Sequence, residues 1–215
     1  MITNRRVLIF ANGVMDETEW LTGYMQPDDW LIAVDGGYQY LHGLGLKPDL
    51  LIGDLDSISP HLLLQLKETP VEIIQFPTNK DQTDLELALD AAVQRGFRKI
   101  RIIAALGGRL DQTLGNIFLL TAPSFKKMDV RIENGSMQAF LVRDQAVIEG
   151  KEGDLVSLIP INGPAEDICT RGLKYPLKNE FLFIEHTRGI SNVMLGNKAE
   201  IFMGKGQLLC IHTRL

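Results

Sequence analysis

Two cysteines in 215 residues, Cys169 and Cys210, are too few and too far apart for a disulfide framework or a zinc site. Both are expected to be reduced, buried thiols in a cytoplasmic protein. The four histidines, His42, His61, His186 and His212, are scattered, so each reads as a surface or packed residue rather than a catalytic base. No run of Lys and Arg occurs and the formal net charge is −5, which argues against nucleic acid or an anionic membrane as the main partner. The apolar run near the N-terminus, Val7 to Ala11, is too short for a signal peptide or a membrane span. Also lacking are a Walker A sequence, a protein-kinase signature, a Ser-His-Asp elbow, internal repeats and low-complexity segments.

The rest is the composition of an ordinary folded protein, 45% hydrophobic and 23% charged, enough for one large domain or two modest ones. In the first half, short apolar runs alternate with helical patterns, the signature of a mostly parallel sheet flanked by helices. Strands are expected at Val7 to Ala11, Leu31 to Val34, Leu50 to Ile52, Val71 to Gln75 and Ile100 to Ala105. A helix is expected from Lys80 to Arg95, because Leu85, Ala88, Leu89, Ala92 and Val93 form one stripe. Asn79 is its expected N-cap and Gly96 its stop. A second helix, Leu110 to Leu120, repeats the pattern with Leu110, Leu114, Ile117 and Phe118. After Met128 the segments are short, apolar and separated by Gly, Pro, Asn and Asp, which reads as an antiparallel β sandwich or barrel. The expected units are therefore 1–128, α/β, and 129–215, all-β, with Val130 to Glu133 as the first strand of the latter.

Within the α/β half, Gly53-Asp54-Leu55-Asp56 ends a buried run in two aspartates one residue apart. In an extended segment both would leave the backbone on the same side. That is either a polar turn or a place for a cation. Other acids recur where strands should end: Asp35, Asp81, Asp84 and Asp111. Each has a local explanation as a turn former or a helix-start acid. Their convergence on the carboxyl edge of a sheet, where α/β proteins bind ligands, favours a site. Asp81 stands four residues before Leu85, so it is expected to face the sheet with that stripe. Several carboxylates call for a hard cation, Mg²⁺. Between a strand and a helix, Gly107-Gly108-Arg109 offers backbone N–H groups, a helix N-terminus and a forked cation to a phosphate, or is simply a tight turn. Metal-assisted phosphoryl or pyrophosphoryl transfer is the chemistry best served.

Six motifs, VDGG (34–37), PDLLIGDLDSI (48–58), KDQTDLELAL (80–89), GGRLDQTLGN (107–116), GLKYPL (172–177) and TRGISN (187–192), occur in an order that resembles the thiamine pyrophosphokinase family of bacteria. The resemblance implies an α/β ATP-binding domain, a β-sandwich thiamine-binding domain, and a homodimer with active sites at the subunit interface. It implies transfer of pyrophosphate from ATP to thiamine, giving AMP and thiamine pyrophosphate. Carried over by motif, Asp54, Asp56 and Asp84 would bind Mg²⁺ and, with Arg109, carry catalysis. Asp35, Gly36, Gly37, Lys80, Asp81, Thr83, Gly107, Gly108, Arg109, Asp111 and Asn116 would serve ATP and its phosphates, and Ser191 and Asn192 thiamine. Some relatives carry Gln at the position of Lys80, and a Trp near the end of the thiamine-site segment; here the tryptophans are Trp20 and Trp30. Alternatives that keep the fold are a pyrophosphokinase for another hydroxymethyl heterocycle, such as a pterin, or a non-catalytic nucleotide or thiamine sensor.

Overall fold

The computed structural model describes residues 3–215, which divide into two units, the first ending at Gly135 and the second spanning Ser136–Leu215. In the first, β1 (Thr3–Phe10) is the central strand, and Val7, Leu8, Ile9 and Phe10 are inaccessible to solvent. Strands β2 (Trp30–Val34), β3 (Leu50–Gly53) and β4 (Glu72–Gln75) follow outward on one side of it; β5 (Phe97–Ile103) and β6 (Asp129–Asn134) lie on the other. Every pairing among these six is parallel. A parallel sheet covered on both faces needs strands apolar on both sides, which is why Leu31 to Val34 and Leu50 to Ile52 are unbroken apolar runs. Because the chain leaves β1 in one direction and returns on the other side for β5, the strand order reverses beside β1. A crevice opens at the carboxyl ends of strands at such a point.

The sheet is flanked by α1 (Trp20–Tyr24), α2 (Tyr38–Gly43), α3 (Pro60–Lys67), α4 (Asp84–Gln94) and α5 (Leu110–Leu119). Helix α4 buries Leu85, Ala88, Leu89 and Ala92 as the spacing predicts, with Ala91 beside them, and packs on β1, β2, β3 and β5. Each buried leucine contributes about 2 kcal/mol. Gly96 (φ 89) ends the helix as expected. Its start differs: the N-cap is Thr83, whose hydroxyl accepts from the Glu86 amide at 3.3 Å, so the segment from Asn79 to Gln82 is an irregular approach rather than a first turn. Two further expectations are corrected. β6 runs parallel to β5, so Val130 to Glu133 closes the first unit and the division falls at Gly135, not after Met128. And α5 buries none of its residues within the described chain, leaving Leu110, Leu114 and Phe118 at 71%, 45% and 51% exposure.

The second unit has two antiparallel sheets. One is ordered β12 (Asn192–Val193), β9 (Leu155–Pro160), β14 (Leu208–Thr213), β7 (Met137–Val142), and the other β11 (Lys178–Leu182), β10 (Ala165–Arg171), β13 (Lys198–Phe202), β8 (Gln145–Glu149). Phe140, Val156, Leu158 and Leu208 of the first sheet and Ile148, Ile168, Leu182 and Ile201 of the second share one core, so this is the expected sandwich. Strand β10 escapes a sequence reading because Glu166 and Asp167 interrupt its alternation; Asp167 has φ 55 at an irregularity in the β10–β11 register.

One buried polar cluster pins this unit's chain end. His212, fully buried, places Nε2 2.9 Å from Asp154 Oδ2 and Nδ1 3.0 Å from Gln138 Nε2. Asp154 also accepts from the amides of Lys151 (2.9 Å) and Leu215 (3.2 Å). Burial pushes the Asp154 carboxyl up, but the Lys151 amide, the His212 ring and the Leu215 amide together outweigh it and hold it below its ordinary value. The carboxylate therefore adds stability at neutral pH that is lost as pH falls through that lowered value, below about 3.8. Asp154→Ala should destabilise the chain by about 3 kcal/mol in urea unfolding at pH 7, since it strands buried donors. The gap between variant and parent should narrow when unfolding is repeated below the ordinary aspartate pKa.

Candidate active site

At the carboxyl edge of the first unit's sheet lies a cleft of about 600 Å³. Its walls come from the segments after β1 (Ala11 to Val14), β2 (Asp35), β3 (Asp54) and β5 (Ala105 to Arg109), and from the approach to α4. The two sides of the strand reversal are tied together directly: the Gly13 amide donates to Ala104 O at 2.7 Å and the Val14 amide to Leu106 O at 2.8 Å.

Three carboxylates meet there. Asp35, Asp54 and Asp56 each offer an oxygen, and the three oxygens lie within 4.8 Å of one another. Asp35 takes the left-handed conformation (φ 46) straight after β2, in a 3-10 turn, Asp35–Gly37. The turn presses against β1, and a Cβ on Gly37 would stand 2.1 Å from Phe10 O, so only glycine fits. Gly36 and Gly37 are buried next to Asp35 and are not among the residues lining the cleft. Gly53 (φ 150) plays the matching part on β3, where a Cβ would crowd Asp35 Cβ at 3.0 Å.

Asp54 and Asp56 share a side for a reason other than strand alternation. The chain turns, Leu55 (φ 66) tucks into the core at 5% exposure, and the Asp56 amide donates to Asp54 Oδ1 at 3.1 Å. That amide, helped by the Asp56 side chain, Thr78 and the Lys80 charge, holds the Asp54 carboxyl below its ordinary value against the effect of burial. Ser57, which the sequence reading passed over as a turn residue, completes the cluster: its Oγ lies 2.8 Å from Asp35 Oδ2 and 3.1 Å from Asp56 Oδ1. Among the described residues, Asp35 Oδ1 is shielded from solvent and finds no hydrogen-bond donor. A buried carboxylate oxygen without a donor, facing two more acids, suits a cation. Oxygens bound about 2.1 Å from a hard ion stand about 3 to 4 Å apart, which is compatible with oxygens lying within 4.8 Å of one another.

Asp84 lines the same cleft from the first turn of α4, where Lys80 Nζ approaches its Oδ1 to 3.1 Å. It lies outside the close trio, whose third member is Asp35. Asp81 is exposed and precedes the helix, so it does not share the Leu85 stripe. That expectation assumed a helix starting at Asn79. On the β5 side, Gly107, Gly108, Arg109 and Asn116 line the cleft. Asn116 Nδ2 donates to Ala105 O at 2.7 Å, bracing the loop. Arg109 and Asp111 form a two-point ion pair (3.1 and 2.5 Å), 73% and 66% exposed, which raises the Arg109 pKa and lowers that of Asp111. Exposed and solvent-screened, that pair is easily exchanged for a phosphate.

In the second unit Asn192 is buried and its side-chain amide is hydrogen-bonded at both its oxygen and its nitrogen. Oδ1 accepts from the Tyr175 and Val193 amides, both at 3.0 Å, and Nδ2 donates to Tyr175 O at 2.7 Å. Asn192 thus clamps the loop containing Tyr175, whose ring is 61% exposed with Lys174 Nζ 5.6 Å from its centroid. Ser191 (φ 58) donates its amide to Ser157 Oγ at 3.0 Å.

The first unit thus has a carboxylate-lined cleft beside a Gly-Gly-Arg helix start, and a β sandwich follows it in the chain. The comparisons with known proteins are specific. The family model "Thiamin pyrophosphokinase, catalytic domain" matches residues 21–132, and "Thiamin pyrophosphokinase, vitamin B1 binding domain" matches 144–208. The thiamine pyrophosphokinase of Bacillus subtilis (strain 168) is 29% identical over 211 residues, 97% of this chain and 99% of that protein. The crystal structure of thiamine pyrophosphokinase from Bacillus subtilis superposes with a TM-score of 0.88 at 30% identity, covering 98% and 99% of the two chains. A thiamin pyrophosphokinase family protein from Enterococcus faecalis gives 0.84 at 26%, with the same coverage. The chain belongs to the thiamin pyrophosphokinase family.

Proposed function

We propose that this chain is an enzyme that transfers the pyrophosphate of ATP to the hydroxyl of thiamine, releasing AMP. The match of both units to the two domains of one family carries the reading. The vitamin B1 binding match over 144–208 favours thiamine over a pterin as acceptor.

The cleft supplies what the reaction needs. Asp35, Asp54 and Asp56 would hold Mg²⁺, an assignment supported by their mutual closeness and by the undonated Asp35 Oδ1. When bound, the ion neutralises charge on the pyrophosphate as the bond to AMP breaks. Arg109, released from Asp111, binds a phosphate with two parallel N–H donors, and the amides at the start of α5 add to it. Thr83 caps α4 and so fixes Asp84 and, through it, Lys80 at the cleft wall. Catalysis is then mostly positioning: the thiamine hydroxyl is held in line with the β-phosphorus while AMP departs. In the second unit, Asn192 and Ser191 shape the acceptor's loops, and the Tyr175 ring that Asn192 presents offers an aromatic face to thiamine in a chain without a tryptophan in that unit.

The exposed stripe on α5 supports a homodimer with active sites at the subunit interface. Leu110, Leu114 and Phe118 lie on the helix that carries Arg109 at its start, and a second copy of this chain would cover them. Sedimentation equilibrium should give twice the chain mass, falling to the monomer in Phe118→Asp. A parent chain that sediments as a monomer at micromolar concentration contradicts the dimer.

With Mg²⁺, ATP and thiamine, the products should be AMP and thiamine pyrophosphate; ADP with thiamine monophosphate would sink the reading. Asp56→Asn should lower turnover by about 100-fold or more while leaving the melting temperature nearly unchanged, because Asp56 is exposed and packs nothing. A melting temperature that collapses while activity per folded molecule stays normal would make Asp56 structural instead.

A further inference from the structure

The segment that carries Asn192 is weakly held by its own strand. β12 has two residues and lies at the edge of its sheet, where Asn192 stands opposite Val156 of β9 and Val193 opposite Leu155. So short a pairing fixes little by itself. The bonds just past it do more: the Met194 amide donates to Asp154 O at 2.8 Å, and the Gly153 amide to Met194 O at 3.0 Å. The same segment in turn carries the Tyr175 loop. The Lys174 amide donates to Val193 O at 2.8 Å, the Leu195 amide to Gly172 O at 2.9 Å, and Asn192 clamps Tyr175.

Asp154 is therefore the fixed point, and what fixes it is buried. Its carbonyl holds Met194 while its carboxylate gathers the Lys151 amide, the Leu215 amide and the His212 ring. Gln138 Nε2 can only donate, so His212 Nδ1 accepts from it and the ring proton sits on Nε2, aimed at Asp154 Oδ2. Gln138 and His212 face each other across β7 and β14, and His212 and Met194 are fully buried. The packing leaves no room for a methyl group: a Cβ on Gly150 would stand 2.6 Å from Asp154 Oδ2, 2.8 Å from His212 Nε2 and 2.9 Å from Met194 Sδ. We infer that Gln138, His212 and Asp154 are positioning residues for the acceptor, a buried relay that sets where Asn192 holds the Tyr175 loop, and so how tightly thiamine is bound, without touching it. The inference rests on the reading of that loop as the thiamine site. None of the three belongs to the unit that carries the nucleotide cleft, so the effect falls on thiamine and spares ATP.

Two measurements on full-length protein test this, each comparing the parent with His212→Phe, which keeps a ring and loses both nitrogens, and His212→Gln, which keeps a donor for Asp154. Amide hydrogen exchange followed by NMR reads the segment directly. In His212→Phe the Tyr175, Val193 and Met194 amides should exchange about tenfold faster relative to those of β13. Steady-state kinetics should show the KM for thiamine raised about tenfold, with kcat and the KM for ATP within about twofold of the parent, and His212→Gln should recover most of the loss. If His212→Phe does not fold, Gln138→Leu, which spares the Asp154–His212 bond, takes its place with a smaller shift in the same direction. A uniform change of exchange through the unit, with the KM for thiamine unmoved, makes the cluster merely structural and overturns the inference. Faster exchange confined to Tyr175, Val193 and Met194 with an unmoved KM overturns it by another route, since the anchor then stands and thiamine binds elsewhere. A parent that forms no AMP removes the activity alone, and the comparison is then made on the Kd for thiamine from titration calorimetry.

Discussion

Three carboxylates whose oxygens lie within 4.8 Å of one another repel. Each pair costs about 1 kcal/mol if well hydrated and about 4 kcal/mol at the effective dielectric of a partly buried site. The arrangement of the first unit is a way of holding that repulsion in place. Asp35 leaves β2 with a left-handed backbone, its turn fits only because Gly37 lets it press on Phe10, and Gly53 makes room for it on β3. Leu55 anchors the turn between Asp54 and Asp56 in the core, and Ser57 bridges two of the acids with one hydroxyl. Stability is surrendered at the strand ends and recovered in the strands behind them, where Val7 to Phe10 and Leu50 to Ile52 are almost wholly buried.

Function follows from that cost. In the proposed metal site, a preassembled cluster of like charges would favour a hard cation because the fold has already met the expense of bringing the ligands together. The order of strands decides where the cluster sits, since the reversal beside β1 opens the sheet's carboxyl edge and brings the β5 loop, with Gly107, Gly108 and Arg109, to the same cleft. In the proposed reading, the acids would serve an ion and the loop amides with Arg109 the phosphates of a nucleotide. Lys80, paired to Asp84, tempers the negative charge of the cleft.

Much of this was legible in the chain before it folded. Buried parallel strands must be apolar on both faces, so β1, β2 and β3 announce themselves, and the stripe of α4 is plain in Leu85, Ala88, Leu89 and Ala92. What escaped depended on tertiary context. Whether the helix starts at Asn79 or Thr83 turns on which hydroxyl or amide finds a free backbone donor, and four residues decided that Asp81 points to solvent. Asp35 comes close to Asp54 and Asp56 through a positive φ that no periodicity encodes. The α5 stripe has helical spacing yet faces solvent, since spacing says which residues share a face and not what covers it. β6 read as the first strand of the sandwich because a short apolar run does not reveal which sheet it joins.

The central claim is that Asp35, Asp54 and Asp56 hold one ion at the end of β2 and β3. The most direct measurement is an anomalous-difference map from crystals grown with Mn²⁺ and α,β-methylene ATP. The account predicts a strong peak about 2.1 Å from an oxygen of each of the three aspartates. A peak centred on Asp84 and away from Asp35, or no peak at the strand ends with the nucleotide bound, would contradict it.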